Sequence, residues 1–300
     1  MRYAEIITPT LTFFAQDGEL DTKANEDHVE FLIEKGVDGL LVLGSTGEFV
    51  AMEDSQKRAL IDLYSRTIRG RASLYVGTGS TVYKETIELS NYALSKGADA
   101  VLVVPPYYFK YDEESLYSYY CDISRQIKGD ILLYNYPART GNTLGLELSK
   151  RLAQDCQNIV GYKDSSGDIE FTKNLITTME SLGREFRVYS GYDSDFPKNV
   201  AHGGAGGMAA LSNIIPDLWS QRVQAYMSAN QHVFEAINQT ITELMELYNV
   251  KSNFIPVLKY VLIAQGHQYS EYGLDIELPL TQAEKEKVDR ILERANILSV

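Results

Sequence analysis

The chain has 300 residues, of which 44% are hydrophobic, and this content is enough for a large buried core. Its 41 acidic and 28 basic residues give a formal net charge of −13, which disfavours nucleic acid and anionic membranes as partners. The first residues contain no apolar core of signal-peptide length, and the longest apolar runs are too short to cross a bilayer. We therefore expect a cytoplasmic protein without a membrane partner.

Short runs of high β propensity recur along the first two-thirds of the chain and alternate with longer segments of helical periodicity. Several helical segments close on a glycine, as helices often do. This alternation predicts parallel strands, and eight of them within about 210 residues favour a closed (β/α)8 barrel over a doubly wound sheet. The predicted strands are EIITPTLTFF, GLLVLGS, SLYVGTG, AVLVVPP, ILLYNYP, IVGYKDS, FRVYSGY and GMAALS.

From about Asp217 the pattern changes to one helical segment after another, with no long linker before them. The sequence therefore predicts an α/β protein with a (β/α)8 TIM barrel over residues 1–216 and a C-terminal extension of three helices over residues 217–300. Trp219, the one tryptophan of the chain, is expected to pack in this extension.

The cysteines and histidines lack the spacing of a metal site. Cys121 and Cys156 lie far apart in the chain, and we predict no disulfide, no metal and no cofactor. Gly204, Gly206 and Ala209 have the GxGxxA spacing of a dinucleotide site. A helix-like segment precedes them where such a site needs a strand, so we expect no NAD.

Polar motifs stand at the ends of the predicted strands, where an α/β barrel carries its reactive groups. Each motif follows a run that is otherwise apolar. The motifs are GSTGE (44–48), PPYY (105–108), YNYPARTG (134–141), DSS (164–166) and SGYDSD (190–195).

Lys163 lies in the sixth predicted strand, where a side chain is shielded from water. Burial disfavours the ammonium form and lowers the lysine pKa from its ordinary value of about 10.4. A neutral amine can attack a ketone to form an imine, an electron sink for making or breaking the adjacent carbon-carbon bond. Tyrosines at neighbouring strand ends can then transfer protons. The alternative for Lys163 is a salt bridge, and Asp164 and Asp168 beside it are expected to cap the next helix.

Ser45 and Thr46 offer two hydroxyls within a glycine-rich turn. The backbone of Gly44 and Gly47 can direct N–H groups to the same point, which forms a small site for a carboxylate or phosphate. A 2-oxo acid supplies both the ketone and the carboxylate. The alternative is that this turn is only a barrel loop.

Four motifs, GSTGE, PPYY, YNYPARTG and GYKDSSGD, occur here in an order and spacing that resemble the dihydrodipicolinate synthase and N-acetylneuraminate lyase superfamily. The resemblance extends over nearly the whole chain. It implies a (β/α)8 barrel with three C-terminal helices, pyruvate-dependent class I aldolase chemistry and a homotetramer built from dimers.

The same resemblance implies roles for individual residues. Lys163 corresponds to the Schiff-base lysine and Tyr134 to the proton-relay tyrosine near it. Ser45 and Thr46 correspond to the pair that holds the pyruvate carboxylate. Tyr108 corresponds to a residue that reaches the site of the neighbouring subunit, with interface packing alone as its alternative. The other residues expected to contact substrate are Gly47, Arg139, Ser165, Gly191, Asp193 and Met208.

The motifs divide between branches of this family. Ser45 stands where the synthase typically has threonine, and Asp193 in GYD is similar to the sugar-acid branches, where it would accept hydrogen bonds from substrate hydroxyls. Arg139 instead resembles the synthase residue that binds the distal carboxylate of aspartate semialdehyde. Ser194 replaces the glutamate of neuraminate lyases, which argues against sialic acid itself.

We therefore predict a lyase for a 2-keto-3-deoxy sugar acid, gluconate-like or sialic-acid-like, that yields pyruvate and an aldehyde. The first alternative is the synthase that condenses pyruvate with aspartate semialdehyde. A barrel that binds 2-oxo acids without turnover is a more remote alternative.

Overall fold

Eight parallel strands close into a barrel in the order β1 to β8, and β8 pairs with β1. The computed structural model describes residues 4–274 and 278–297. The predicted barrel is confirmed, because a doubly wound sheet would leave two open edges. The strands are β1 (Glu5–Pro9), β2 (Gly39–Val42), β3 (Ser73–Gly77), β4 (Ala100–Val103), β5 (Ile131–Asn135), β6 (Ile159–Asp164), β7 (Arg187–Ser190) and β8 (Gly206–Gly207).

The helices follow the strands and form the outer layer. Among the described residues, no helix has both the length and the apolar content needed to span a membrane. The helices are α1 (Thr22–Glu34), α2 (Asp54–Ile68), α3 (Tyr83–Ser95), α4 (Glu113–Gln126), α5 (Pro137–Thr140), α6 (Leu146–Asp155), α7 (Ile169–Ser181), α8 (Phe196–Ala201), α9 (Pro216–Met227), α10 (Gln231–Leu244), α11 (Ile255–Ala264) and α12 (Gln282–Arg294).

The strands are buried on both faces, which explains why their sequences are continuously apolar. One apolar layer lies between the strands and the helices. A second, smaller cluster fills the inside of the barrel, so the interior is a packed core. The buried members of the inner cluster are Ile7, Leu41, Tyr75, Ala100, Leu102, Val104, Leu132, Tyr134, Tyr189 and Met208.

Helix α9 packs against β1 and the turn that follows β8, so it belongs to the ring of barrel helices. Trp219 of α9 is fully buried, with its ring 5.2 Å from that of Phe196 in an edge-on arrangement. Three further helices, α10 to α12, form the C-terminal extension in the described part of the chain. The domain boundary after residue 216 stays a prediction.

The first and last strands are shorter than their sequences predict. The regular strands end at Pro9 and at Gly207. Beyond these residues, the side chain of Asn213 forms hydrogen bonds with the backbone at the end of β1. The Asn213 amide donates to the carbonyl of Pro9 at 2.9 Å and accepts from the N–H of Leu11 at 3.0 Å. A polar side chain buried between two strand ends thus replaces β pairing, which propensity alone does not predict.

Close packing accounts for the glycines of the GxGxxA motif. A Cβ added to Gly206 would lie 2.0 Å from the carbonyl oxygen of Glu5, and one added to Gly204 would lie 2.1 Å from the Asn199 amide oxygen. Strand β8 can approach β1 only because it carries no side chain here. The motif therefore reflects barrel closure.

The fold brings Cys121 of α4 and Cys156, at the end of α6, together. Their sulfur atoms lie 3.3 Å apart as free, buried thiols. Their 35-residue separation in the chain concealed this contact, because α4 and α6 are neighbours only in the closed ring.

Candidate active site

A cavity of about 420 Å³ opens at the carboxyl ends of the strands. Most of the predicted site residues line it, although they come from five separate segments of the chain. Those that line it are Ser45, Thr46, Tyr134, Arg139, Lys163, Ser165, Gly191, Asp193 and Met208. The barrel topology alone brings them together.

Lys163 lies on β6 at the base of this cavity and is 3% exposed. Burial lowers the pKa of its amine from 10.5 to about 8, although Tyr136 and Asp193 act in the opposite direction. Within the described residues no carboxylate forms a salt bridge with this amine. The salt-bridge alternative for Lys163 is therefore wrong, and with a pKa of about 8 roughly one-tenth of the amine is uncharged at pH 7.

Tyr134 is the neighbour of Lys163 on the adjacent strand, because β5 and β6 pair these two residues in register. The Lys163 Nζ lies 4.5 Å from the centre of the Tyr134 ring. Burial raises the pKa of the Tyr134 hydroxyl, while hydrogen bonds with the hydroxyls of Ser45 and Ser165 partly offset this effect. The phenol is thus protonated at neutral pH and connected to two further hydroxyls.

Ser45 and Thr46 lie in a single turn of 3₁₀ helix, Ser45–Gly47, directly after β2. Thr46 is buried, and both residues face the cavity. Both side chains therefore lie in the lining of the cavity that contains the Lys163 amine, and their role in holding a carboxylate stays a prediction.

Gly191 and Ser165 show why a glycine follows β7. A Cβ added to Gly191 would lie 2.0 Å from the Ser165 hydroxyl and 2.9 Å from the carbonyl of Asp164. The Gly191 N–H donates to that carbonyl at 2.6 Å. This close approach leaves the Ser165 side chain room to reach Tyr134.

Asp168 caps α7 as predicted, because its carboxylate accepts the backbone N–H groups of Glu170 and Phe171. The same prediction for Asp164 is wrong. The Asp164 carboxylate instead accepts hydrogen bonds from Asn135 at 3.1 Å and from Thr172 at 2.6 Å. It ties the end of β6 to β5 and to α7, and so holds the strand that carries Lys163.

Asp193 lines the cavity but its carboxylate already has two internal partners. One oxygen accepts from the Tyr248 hydroxyl at 2.6 Å and the other from the N–H of Leu211 at 3.2 Å. Arg222 donates to the Asp193 carbonyl at 3.1 Å. Burial raises the pKa of Asp193 to about 6. The Asp193 carboxylate thus holds Tyr248 in place. A substrate hydroxyl would have to bind to the same carboxylate alongside Tyr248.

Two predicted site residues lie outside the cavity of this single chain. Gly47 is buried behind its turn, where its carbonyl accepts a hydrogen bond from Thr12. Tyr108 is 88% exposed with a backbone φ of 81°, a conformation that bulky residues rarely adopt. Tyr108 therefore does not contribute to the lining of this cavity within one chain.

The C-terminal extension supplies a wall of the cavity that sequence analysis missed. This wall is formed by the segment between α10 and α11, which contains no recognisable sequence motif. The segment lies next to the strand ends only in the folded protein. The cavity residues missed from the sequence are Pro9, Tyr136, Tyr192, Ala210, Met245, Tyr248, Asn249, Ser252 and Phe254.

The described residues contain no cluster of three or more histidine, cysteine, aspartate or glutamate side chains arranged to hold a metal ion. The polar groups that line the cavity are an amine, several hydroxyls, the Asn249 amide and the Asp193 carboxylate. Arg139 adds a cation at the rim, where its guanidinium lies 5.5 Å from the Tyr136 ring centre.

This chain is similar to known proteins in both sequence and structure. The sequence model described as the dihydrodipicolinate synthetase family matches residues 2–295. The "Probable 2-dehydro-3-deoxy-D-pentonate aldolase YjhH" of Escherichia coli K12 is 33% identical over 299 residues, covering 100% of this chain and 99% of its own. The "4-hydroxy-tetrahydrodipicolinate synthase" of Thermotoga neapolitana is 34% identical and covers 95% of this chain and 93% of its own.

A solved structure shows the same likeness. The crystal structure of YagE from Escherichia coli K12, described as a prophage protein of the dihydrodipicolinic acid synthase family in complex with pyruvate, superposes with a TM-score of 0.95. It is 30% identical, and the match covers 99% of this chain and 100% of that one. Fold and family therefore agree with the expectation from the motifs.

Replacing the buried amine by an apolar group should stabilise the protein at neutral pH. A lysine pKa of about 8 in the folded state and 10.5 in the unfolded state corresponds to about 3 kcal/mol lost to burial of the charge. This cost is fully present below pH 8 and disappears as pH rises to 10.5, because there the unfolded state still binds a proton that the folded state has released. Urea unfolding should therefore show Lys163→Met more stable than the wild type at pH 7, with a smaller difference at pH 10.

A Lys163→Met variant that is less stable than the wild type at pH 7 would contradict this assignment. Lys198→Met, on the more accessible surface of α8, serves as the control. It should change the free energy of unfolding little at either pH.

Proposed function

The chain belongs to the dihydrodipicolinate synthetase family of pyruvate-dependent class I aldolases, and we propose that it cleaves a 2-keto-3-deoxy sugar acid into pyruvate and an aldehyde. The observation that carries the proposal is the amine of Lys163, which has no salt-bridge partner among the described residues and is buried beside Tyr134 at the base of a cavity lined by hydroxyl groups. An amine so placed is a nucleophile for a ketone.

The reaction begins when the neutral amine of Lys163 attacks the C2 ketone. The carbinolamine hydroxyl takes up a proton from the solvent and leaves as water, which forms a protonated imine between Nζ and C2. Ser45 and Thr46 hold the C1 carboxylate, which fixes the substrate so that its C3–C4 bond lies above the amine. The imine then accepts the electron pair of the C3–C4 bond as the C4 hydroxyl loses its proton. The aldehyde leaves, and an enamine of pyruvate remains on Lys163.

Tyr134 is the group that transfers the C4 proton. Burial keeps its hydroxyl protonated, so it accepts a proton only as it passes its own on, through the hydrogen bond with Ser45 towards the substrate carboxylate. Return of a proton to C3 converts the enamine to the imine of pyruvate. Water then hydrolyses the imine and restores the free amine.

The outer half of the cavity suits a polyhydroxylated chain. The extension presents the side chains of Asn249 and Ser252 there, and Tyr192 adds a phenol. These groups are uncharged donors and acceptors, which match hydroxyls better than a second carboxylate. The 33% identity to a protein named as a probable 2-dehydro-3-deoxy-D-pentonate aldolase supports the same substrate class.

The synthase reaction is the second candidate, and Arg139 favours it. Its guanidinium lies at the cavity rim, free to pair with the carboxylate of aspartate semialdehyde. The relative from Thermotoga neapolitana carries the synthase name at 34% identity. A single arginine at an exposed position is weaker support than the three neutral hydrogen-bonding side chains of Tyr192, Asn249 and Ser252.

The first experiment traps the imine. Incubation with pyruvate and borohydride should add the mass of a reduced pyruvyl group to Lys163, as peptide mass spectrometry would show. The initial rate of trapping should rise with pH through about 8, because only the neutral amine attacks. Pyruvate bound without an adduct would support a binding barrel and overturn the proposal.

The second experiment compares substrates. Purified protein should cleave 2-keto-3-deoxy-gluconate or -pentonate with release of pyruvate, and Asn249→Leu should lower kcat/KM for this reaction about tenfold through lost hydrogen bonds. Trapping of pyruvate by the same variant should remain unchanged. Efficient condensation of pyruvate with aspartate semialdehyde, with no cleavage of sugar acids, would instead select the synthase.

Tyr108 generates a third experiment. We propose that its exposed ring, which packs edge-on against Phe109, inserts into a second copy of the chain within a homotetramer. Tyr108→Ala should shift sedimentation towards smaller species and lower turnover in parallel. An unchanged assembly with full turnover would remove Tyr108 from the site. The predicted cytoplasmic location is testable separately, by fractionation of the producing cells.

A further inference from the structure

Glu48 and Lys259 form a buried ion pair between the barrel and the C-terminal extension. Glu48 is 4% exposed and Lys259 is 0% exposed, and the Lys259 Nζ lies 2.6 Å from a Glu48 carboxylate oxygen. Lys259 also donates to the carbonyl of Tyr272 at 2.8 Å, and the other Glu48 oxygen accepts the N–H of Leu274 at 2.8 Å. One carboxylate thus joins the loop after β2 to α11 and to a second segment of the extension.

The Lys259 amine lies beside two aromatic rings, and the pair also borders a cavity of about 560 Å³ lined mainly by the extension. The Lys259 Nζ lies 5.3 Å from the ring centre of Phe14 and 6.0 Å from that of Phe13. Removing two charges from water is costly, and apolar side chains of similar size often attach two surfaces equally well. Attachment of the extension alone therefore does not account for a charged pair at this position.

The backbone of Glu48 carries a second cost. Its φ of 62° and ψ of 26° lie in the left-handed region, which residues other than glycine seldom occupy. Such strained residues persist where the surrounding structure holds them, and they are frequent next to ligand sites. Here the strained residue directly follows the turn that carries Ser45 and Thr46.

The turn and the ion pair are mechanically connected. The Glu48 N–H donates to the carbonyl of Ser45 at 3.3 Å, and the Gly47 N–H donates to that of Gly44 at 3.0 Å. The Ser45 hydroxyl in turn bonds to Tyr134. A displacement of Glu48 would therefore move both hydroxyls of the turn and the partner of the tyrosine.

We propose that Glu48 and Lys259 are positioning residues that hold the Ser45–Gly47 turn in the geometry required to bind the carboxylate of the 2-keto acid. The C-terminal extension then contributes to carboxylate binding without contacting the carboxylate. This inference rests on the proposed function, because it assumes that Ser45 and Thr46 receive that group.

The test measures the pyruvate concentration that half-saturates borohydride trapping at Lys163. The measurement is made well below the unfolding temperature of each variant. Lys259→Met should raise this concentration about tenfold or more, because small displacements of binding groups have large effects. The double variant Glu48→Gln/Lys259→Met removes both charges of this pair, and we expect it to fold even if the single variant does not. It should raise the concentration by about threefold, as expected for the loss of a hydrogen bond.

Arg187→Met is the matched control. Arg187 donates to the Tyr75 hydroxyl at 3.1 Å at the start of β7, the opposite end of the barrel. Its loss should lower thermal stability and leave the half-saturating pyruvate concentration unchanged. Wild-type trapping curves for both Lys259 variants would overturn the positioning role and reduce the pair to a structural one. Absence of any adduct in the wild type would overturn the proposed function as well, so the two failures are distinguishable.

Discussion

The site depends on the burial of one amine, that of Lys163, which has no carboxylate counterion among the described residues. Lys163 is held on a strand inside a closed barrel, where burial disfavours its charge and lowers its pKa to about 8. The closed sheet supplies the low-dielectric surroundings, and the carboxyl ends of the same strands supply the hydroxyls around the amine. Burial of the charged form lowers the stability of the folded state below pH 8, so reactivity and stability oppose each other at this residue.

Two lysines are buried in this molecule, and their surroundings differ. Lys259 is completely buried but lies 2.6 Å from Glu48, so its charge is neutralised by a partner. Tyr136 and Asp193 act to raise the pKa of Lys163, yet the Asp193 carboxylate is occupied by Tyr248 and by a backbone N–H. Burial is therefore common to a structural cation and a reactive amine. The position of the nearest carboxylate, and what else it binds, separates the two.

The extension completes the site as well as the fold. It provides the wall that contains Tyr248, Asn249 and Ser252, and it anchors the loop after β2 through the Glu48–Lys259 pair. The barrel strands thus carry the chemistry at the base of the cavity. The part of the cavity that faces the rest of the substrate combines strand ends with a segment that has no motif of its own.

The alternation of eight strands with helices, the apolar strands and the polar motifs around Lys163 and Tyr134 could be predicted from the sequence, because these features depend on local periodicity and on spacing along the chain. Which residues share a cavity became known only from the folded arrangement of the chain. The contribution of Asn249, the pairing of Glu48 with Lys259 and the replacement of β pairing by a buried asparagine all join segments distant in sequence. Local patterns contain no information on such contacts, since burial and hydrogen-bond geometry arise only when the barrel closes and the extension packs against it.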